Sequence, residues 1–76
     1  MTLTDVLLRA KLISFNITAV DGSWAELVAE YKRDDYYYWF VACNGLYYVR
    51  ILKEGCYGTS KKYNLTDAQI SLLLLK

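Results

Sequence analysis

Apolar and polar residues alternate without a break over ISFNITA, residues 13–19: Ile13, Phe15, Ile17 and Ala19 against Ser14, Asn16 and Thr18. That period of two predicts a half-buried strand. Further on, YYYWFVAC and LYYVRILK flank an Asn44-Gly45 pair, a strong short hairpin signal that predicts strands over Tyr36–Cys43 and Leu46–Lys53. Near both ends of the chain the period lengthens to that of a helix. Leu3, Val6, Leu7 and Ala10 fall on one face of a first helix with Thr4 as its expected cap. Thr66 and Gln69 form a capping box for a last helix, with Leu65 and Ile70 at the staple positions and an apolar run from Leu72 to Leu75.

The segment SWAELVAEYK satisfies two patterns. As a helix it has a Ser23/Glu26 capping box and a stripe at Trp24, Leu27, Val28 and Tyr31. As a strand it sets Ala25, Leu27, Ala29 and Tyr31 on one face. Strand register favours the second reading. If Lys32 to Asp35 form a four-residue loop, Tyr31 pairs with Tyr36, Ala29 with Tyr38 and Leu27 with Phe40. If Val20-Asp21-Gly22 form a three-residue loop with Gly22 left-handed, Ile17 opposes Ala25, Phe15 opposes Leu27 and Ile13 opposes Ala29. All these apolar residues then share one face, and a slip by one residue would scatter them.

The expected fold is therefore one small α+β domain spanning 1–76: N-terminal helix, four-stranded antiparallel meander, C-terminal helix. The alternative order is α-β-α-β-β-α, with residues 23–33 helical. In the meander, one face is a core of Ile13, Phe15, Ile17, Ala19, Ala25, Leu27, Ala29, Tyr31, Tyr36, Tyr38, Phe40, Ala42, Tyr47, Val49 and Ile51. The other is polar in its first half, at Ser14, Asn16, Thr18, Glu26 and Glu30, and in its second half carries Tyr37, Trp39, Val41, Cys43, Leu46, Tyr48, Arg50 and Leu52, with Arg50 opposite Trp39. The last helix, apolar nearly all round, is the expected cover for this second face, or else a surface for another chain. GCYGTSKKY, residues 55–63, reads as a loop between sheet and helix that is open to a partner.

Composition narrows the chemistry. Hydrophobic residues make up 55% of the chain, and eight of them are tyrosines, a residue that suits interfaces because its apolar ring ends in a polar tip. Net charge is +1, with six acids against four bases in residues 1–35 and two against five in residues 36–76. There is no histidine, so the commonest general base and metal ligand is missing. Cys43 and Cys56 have no metal or redox spacing and read as reduced thiols of a cytoplasmic protein. Glu26 and Glu30 share a face in either reading and are expected to be solvated charges. No catalytic residue, metal ligand or cofactor is expected.

What remains is binding. The expected function is a non-enzymatic protein-binding module of adaptor or inhibitor type, acting through the aromatic sheet face and the C-terminal helix, and able to form a homodimer. Its candidate contact residues are Tyr37, Trp39, Tyr48, Arg50, Tyr57, Lys61 and Lys62, types that dominate binding hot spots or pair with anions. The alternative is a single-stranded nucleic-acid binder, with bases stacked on Tyr37, Trp39 and Tyr48 and phosphates on Arg50, Lys53, Lys61 and Lys62. No membrane partner is expected, because the longest wholly apolar run is far too short to span a bilayer.

Overall fold

The computed structural model describes residues 2–18 and 22–76, with side chains at all of these except 18 and 56–60. The order is α1 (Leu3–Arg9), β1 (Lys11–Thr18), β2 (Trp24–Arg33), β3 (Tyr36–Cys43), β4 (Leu46–Lys53), β5 (Cys56–Asn64) and α2 (Asp67–Leu74). The strands form one antiparallel sheet in sequence order. The α+β meander between two helices is as the sequence predicts, and Trp24–Arg33 is strand rather than helix. The expected loop at 55–63 is instead a fifth strand, paired with β4 through Arg50–Lys62 and Ile51–Lys61.

Both helices start on capping boxes. In α2 it is the expected one: Gln69 N–H donates to Thr66 Oγ1 at 3.2 Å, and Thr66 N–H donates to Gln69 Oε1 at 2.9 Å. In α1 the cap is Thr2 rather than Thr4, because Asp5 stands three residues after Thr2 and returns the bond to its N–H at 3.1 Å. That bond, reinforced by the Thr2 hydroxyl, holds the Asp5 carboxyl below the ordinary aspartate value.

The central hairpin has the expected register, from Tyr36–Lys53 to Cys43–Leu46. Asn44 and Gly45 both have positive φ, 53° and 78°, as a two-residue turn matched to strand twist requires. A Cβ on Gly45 would touch nothing within 4 Å. Gly45→Ala should therefore cost only the left-handed backbone penalty, about 1–2 kcal/mol, read as a lower urea midpoint with unchanged slope. Of the first loop only Gly22 is described, and its φ of +86° is the expected left-handed one.

Two registers differ from expectation. The ladder between β2 and β3 continues through Lys32–Tyr37 and Arg33–Tyr36 to a two-residue turn at Asp34-Asp35, so Tyr31 pairs with Tyr38 and Ala29 with Phe40. Asp34 takes φ 53°, a conformation its short polar side chain tolerates. More consequential is a bulge at Val28, beyond which Leu27 pairs with Val41 instead of continuing on the face of Phe40. Next to it, β1 is irregular between Leu12 and Phe15, so Leu12 rather than Ile13 opposes Ala29.

Bulges kink a strand and re-aim its side chains, and this one divides the expected single core in two. On face one, Ala29, Phe40 and Val49 pack with Val6, Leu7 and Ala10 from α1 and its cap, and with Leu65 and Leu73 at α2. On face two, Ala25 and Leu27 pack with Val41 and Tyr48, flanked by Ile17, Trp39 and Cys43. Phe15 and Ile17 pair with Leu27 and Ala25 as expected, but on face two. Ala19 lies outside the described residues. The bulge also parts Glu26, paired with Ala42 on face one, from Glu30, paired with Trp39 on face two.

Candidate functional site

Both helices lie on face one. Lys76, just past α2, secures their meeting point: its Nζ donates to Leu8 O at 3.0 Å and Ala10 O at 2.8 Å at the end of α1. No residue of either helix belongs to the face-two cluster. The C-terminal helix therefore does not cover the aromatic half-face, against expectation. Its apolar positions are divided between the core, which takes Leu73 with Ile70 and Leu72 beside it, and solvent, which meets Leu74 and Leu75.

On the helix-free face the strand registers align one row across all five strands: Lys11, Glu30, Trp39, Arg50 and Lys62. The neighbouring row adds Lys32 opposite Tyr37. The cations lie on the rings. Arg50 Cζ is 6.0 Å from the Trp39 ring centre, Lys32 Nζ is 5.2 Å from Tyr37, and Lys62 Nζ is 4.4 Å from Tyr48. Such contacts contribute about 0.5–1 kcal/mol at exposed sites and hold the charges in place over an apolar floor. A groove of about 340 Å³ lined by Arg9, Lys11, Ile13, Glu30, Tyr31 and Lys32 opens at the β1 end.

The expected contact residues are distributed as follows. Tyr37, Trp39, Tyr48 and Arg50 are together on face two, and Arg50 does stand opposite Trp39. Tyr48 is core, only 5% exposed, and Trp39 and Tyr37 are half-buried. Because 55–63 is a strand, Lys61 and Lys62 point to opposite faces, and Lys62 alone joins the row. The side chain of Tyr57 lies outside the described residues. Glu30 lies on face two as expected, whereas Lys11 in the row and Lys32 beside it are unforeseen; the two-residue turn at Asp34-Asp35, which extends the ladder, is what brings Lys32 to Tyr37.

Within the row the Trp39 indole N–H is buried without a hydrogen-bond partner among the described residues. Lys32 also lies 4.0 Å from Glu54, a half-exposed pair of little energetic weight. Cys43 donates to Trp24 O at 3.6 Å and lies 3.5 Å from the Ser23 hydroxyl, in a packed rather than a reactive setting. Among the described residues no three His, Cys, Asp or Glu side chains come together, and no helix is long and apolar enough to cross a membrane. No family model, curated protein or solved structure matches the chain.

Proposed function

We propose that the chain is a non-enzymatic protein-binding module whose helix-free sheet face takes an acidic segment of another protein. The reading is supported by one observation above all. Both helices pack on face one, while Lys11, Lys32, Arg50 and Lys62 collect on face two around an apolar floor, with Glu30 among them and Glu54 beside Lys32. Exposed Leu46, at the hairpin end of the same face, adds an apolar contact beside the charges. A segment with acidic residues on one side and an aliphatic residue within reach complements this surface. Its carboxylates compete with the rings for Arg50 and Lys62.

Single-stranded nucleic acid fits the same charges less well. Base stacking needs open ring faces, whereas Tyr48 is buried beneath Lys62 and Arg50 lies over Trp39.

Fluorescence anisotropy with three labelled probes tests the reading: a decapeptide alternating Glu and Leu, one alternating Lys and Leu, and an oligo-dT decamer. The acidic peptide should bind best, and Arg50→Glu with Lys62→Glu should weaken it about tenfold or more through like-charge repulsion. Tighter binding of the oligonucleotide, with a steep loss on adding salt, would replace the proposal with the nucleic-acid reading. Equal binding of both peptides would end it.

A further inference from the structure

The groove at the β1 end of the open face carries an uneven charge. Its lining of Arg9, Lys11, Ile13, Glu30, Tyr31 and Lys32 sets three cations against one carboxylate. Lys11 stands opposite Glu30 in the strand register. Yet the ion pairs among the described residues engage Lys32 and Arg33, and neither Arg9 nor Lys11 is paired with a carboxylate there. The junction that carries Arg9 and Lys11 is held in place. Lys76 Nζ donates to the carbonyls of Leu8 and Ala10, on either side of Arg9, and brings a fourth positive charge close by.

We propose that this groove takes a phosphorylated residue of the acidic segment, so that phosphorylation of the partner tightens its binding. The inference rests on the function proposed above and names the feature of the partner that the groove recognises. A phosphate monoester carries a charge of about −1.5 to −2 near pH 7 and three strong acceptor oxygens. The lining has an excess of two positive charges, which a phosphate matches and a single carboxylate leaves half uncompensated. Arg9 can present its guanidinium to two phosphate oxygens at once, while Lys11 and Lys32 act as point charges. Glu54, 4.0 Å from Lys32 and half-exposed, is a weaker competitor than a dianion. Glu30 is the one lining group that opposes the phosphate.

Size and position agree with this occupant. The groove holds about 340 Å³. At ~30 Å³ per water that is room for about ten, more than a lone carboxylate fills and enough for a phosphate with the side chain that carries it. Ile13 and Tyr31 give that side chain an apolar wall. Lys11 and Glu30 belong to the groove and to the cationic row alike, so the two surfaces are continuous. Lys11 on β1 and Lys62 on β5 are at opposite edges of the sheet. With strands about 4.8 Å apart and an extended chain advancing roughly 3.3 Å per residue, about six residues of the segment cover that span of about 19 Å. A decapeptide therefore reaches both ends.

Fluorescence anisotropy of the whole chain with the Glu–Leu decapeptide and four phosphorylated forms of it tests this. The four carry phosphoserine or phosphotyrosine in place of the first or the last Glu. The best of them should bind about tenfold or more tighter than the unmodified peptide, as added charge-assisted hydrogen bonds imply. Arg9→Gln should remove most of that ratio. Lys62→Gln should weaken modified and unmodified peptides together and leave the ratio unchanged. Both residues are exposed, and circular dichroism establishes that the two variants keep the fold. Four phosphopeptides that bind no better than the unmodified one overturn the proposal. So does a ratio that survives Arg9→Gln, or one that falls with Lys62→Gln instead. Failure of the underlying function looks different: the unmodified peptide then binds no better than its Lys–Leu counterpart, and this inference falls with that reading.

Discussion

Phe40→Ala should remove most of the stability of this protein. Phe40 is wholly buried at the centre of β3, between Ala29 and Val49, and against the residues that both helices send down to face one. Truncating such a ring costs about 3–5 kcal/mol, in lost burial and in the cavity that close-packed neighbours only partly fill. A chain of this size has roughly 4–11 kcal/mol in all, at the usual 0.05–0.15 kcal/mol per residue. The loss is compounded because Phe40 is the contact through which sheet and helices share one core. Urea unfolding should show the midpoint falling by half or more, with near-UV dichroism weakened even without denaturant. Leu75→Ala is the matching control: its side chain is mostly in solvent and should change the midpoint little. A Phe40→Ala variant as stable as the parent would mean that the face-one core is not packed as described.

Tyr48→Ala should be nearly as damaging, by about 3 kcal/mol or more on the same large-to-small scale. On sequence grounds Tyr48 is a surface anchor for a partner, and its removal would then leave stability untouched. In the structure it is a member of the face-two cluster, packed with Ala25, Leu27 and Val41, with Lys62 drawn over its ring. Lys62→Ala separates the two contributions. It removes the cation and leaves the packing, and should cost no more than about 1 kcal/mol. If Tyr48→Ala folds with parental stability, the second cluster is surface, and Tyr48 returns to the set of contact residues. If it is strongly destabilised, binding experiments on this face must rest on Arg50 and Lys62, whose charges can be reversed without opening a cavity.

Where local chemistry decides structure, it was legible. Asn44-Gly45 allows the left-handed pair that a tight hairpin needs, and the register of β3 against β4 follows from it residue by residue, including Arg50 on Trp39. Alternation over ISFNITA placed Phe15 on Leu27 and Ile17 on Ala25. Thr66 and Gln69 cap α2 for the reason their spacing implies. What was not legible is what has no compositional mark. Val28 is an ordinary strand residue, and nothing in its type announces that one extra position will turn Ala25 and Leu27 to the other face. The strand β5 was hidden because it is an edge: its one glycine and two lysines satisfy no alternation when neither side must be apolar throughout. Charged Lys32 to Asp35 suggested a wide loop, yet Lys32 and Arg33 can extend a ladder while their charges stay in water. The open face follows from where the helices dock, and each helix alone is compatible with either side.

Among the described residues every strand of this sheet pairs with its neighbours in sequence, through connections of two residues at three of its four turns. Closing such turns is cheap in chain entropy, so the sheet can assemble one hairpin after another with low contact order and on a short timescale for a β-rich protein. The meeting of α1 with α2, where Lys76 reaches carbonyls 66 and 68 residues away, belongs to the end of that sequence. Run backward, the same order makes the helical layer the first part to come loose, and its amide protons exchange with water by local opening while the hairpins beneath remain paired.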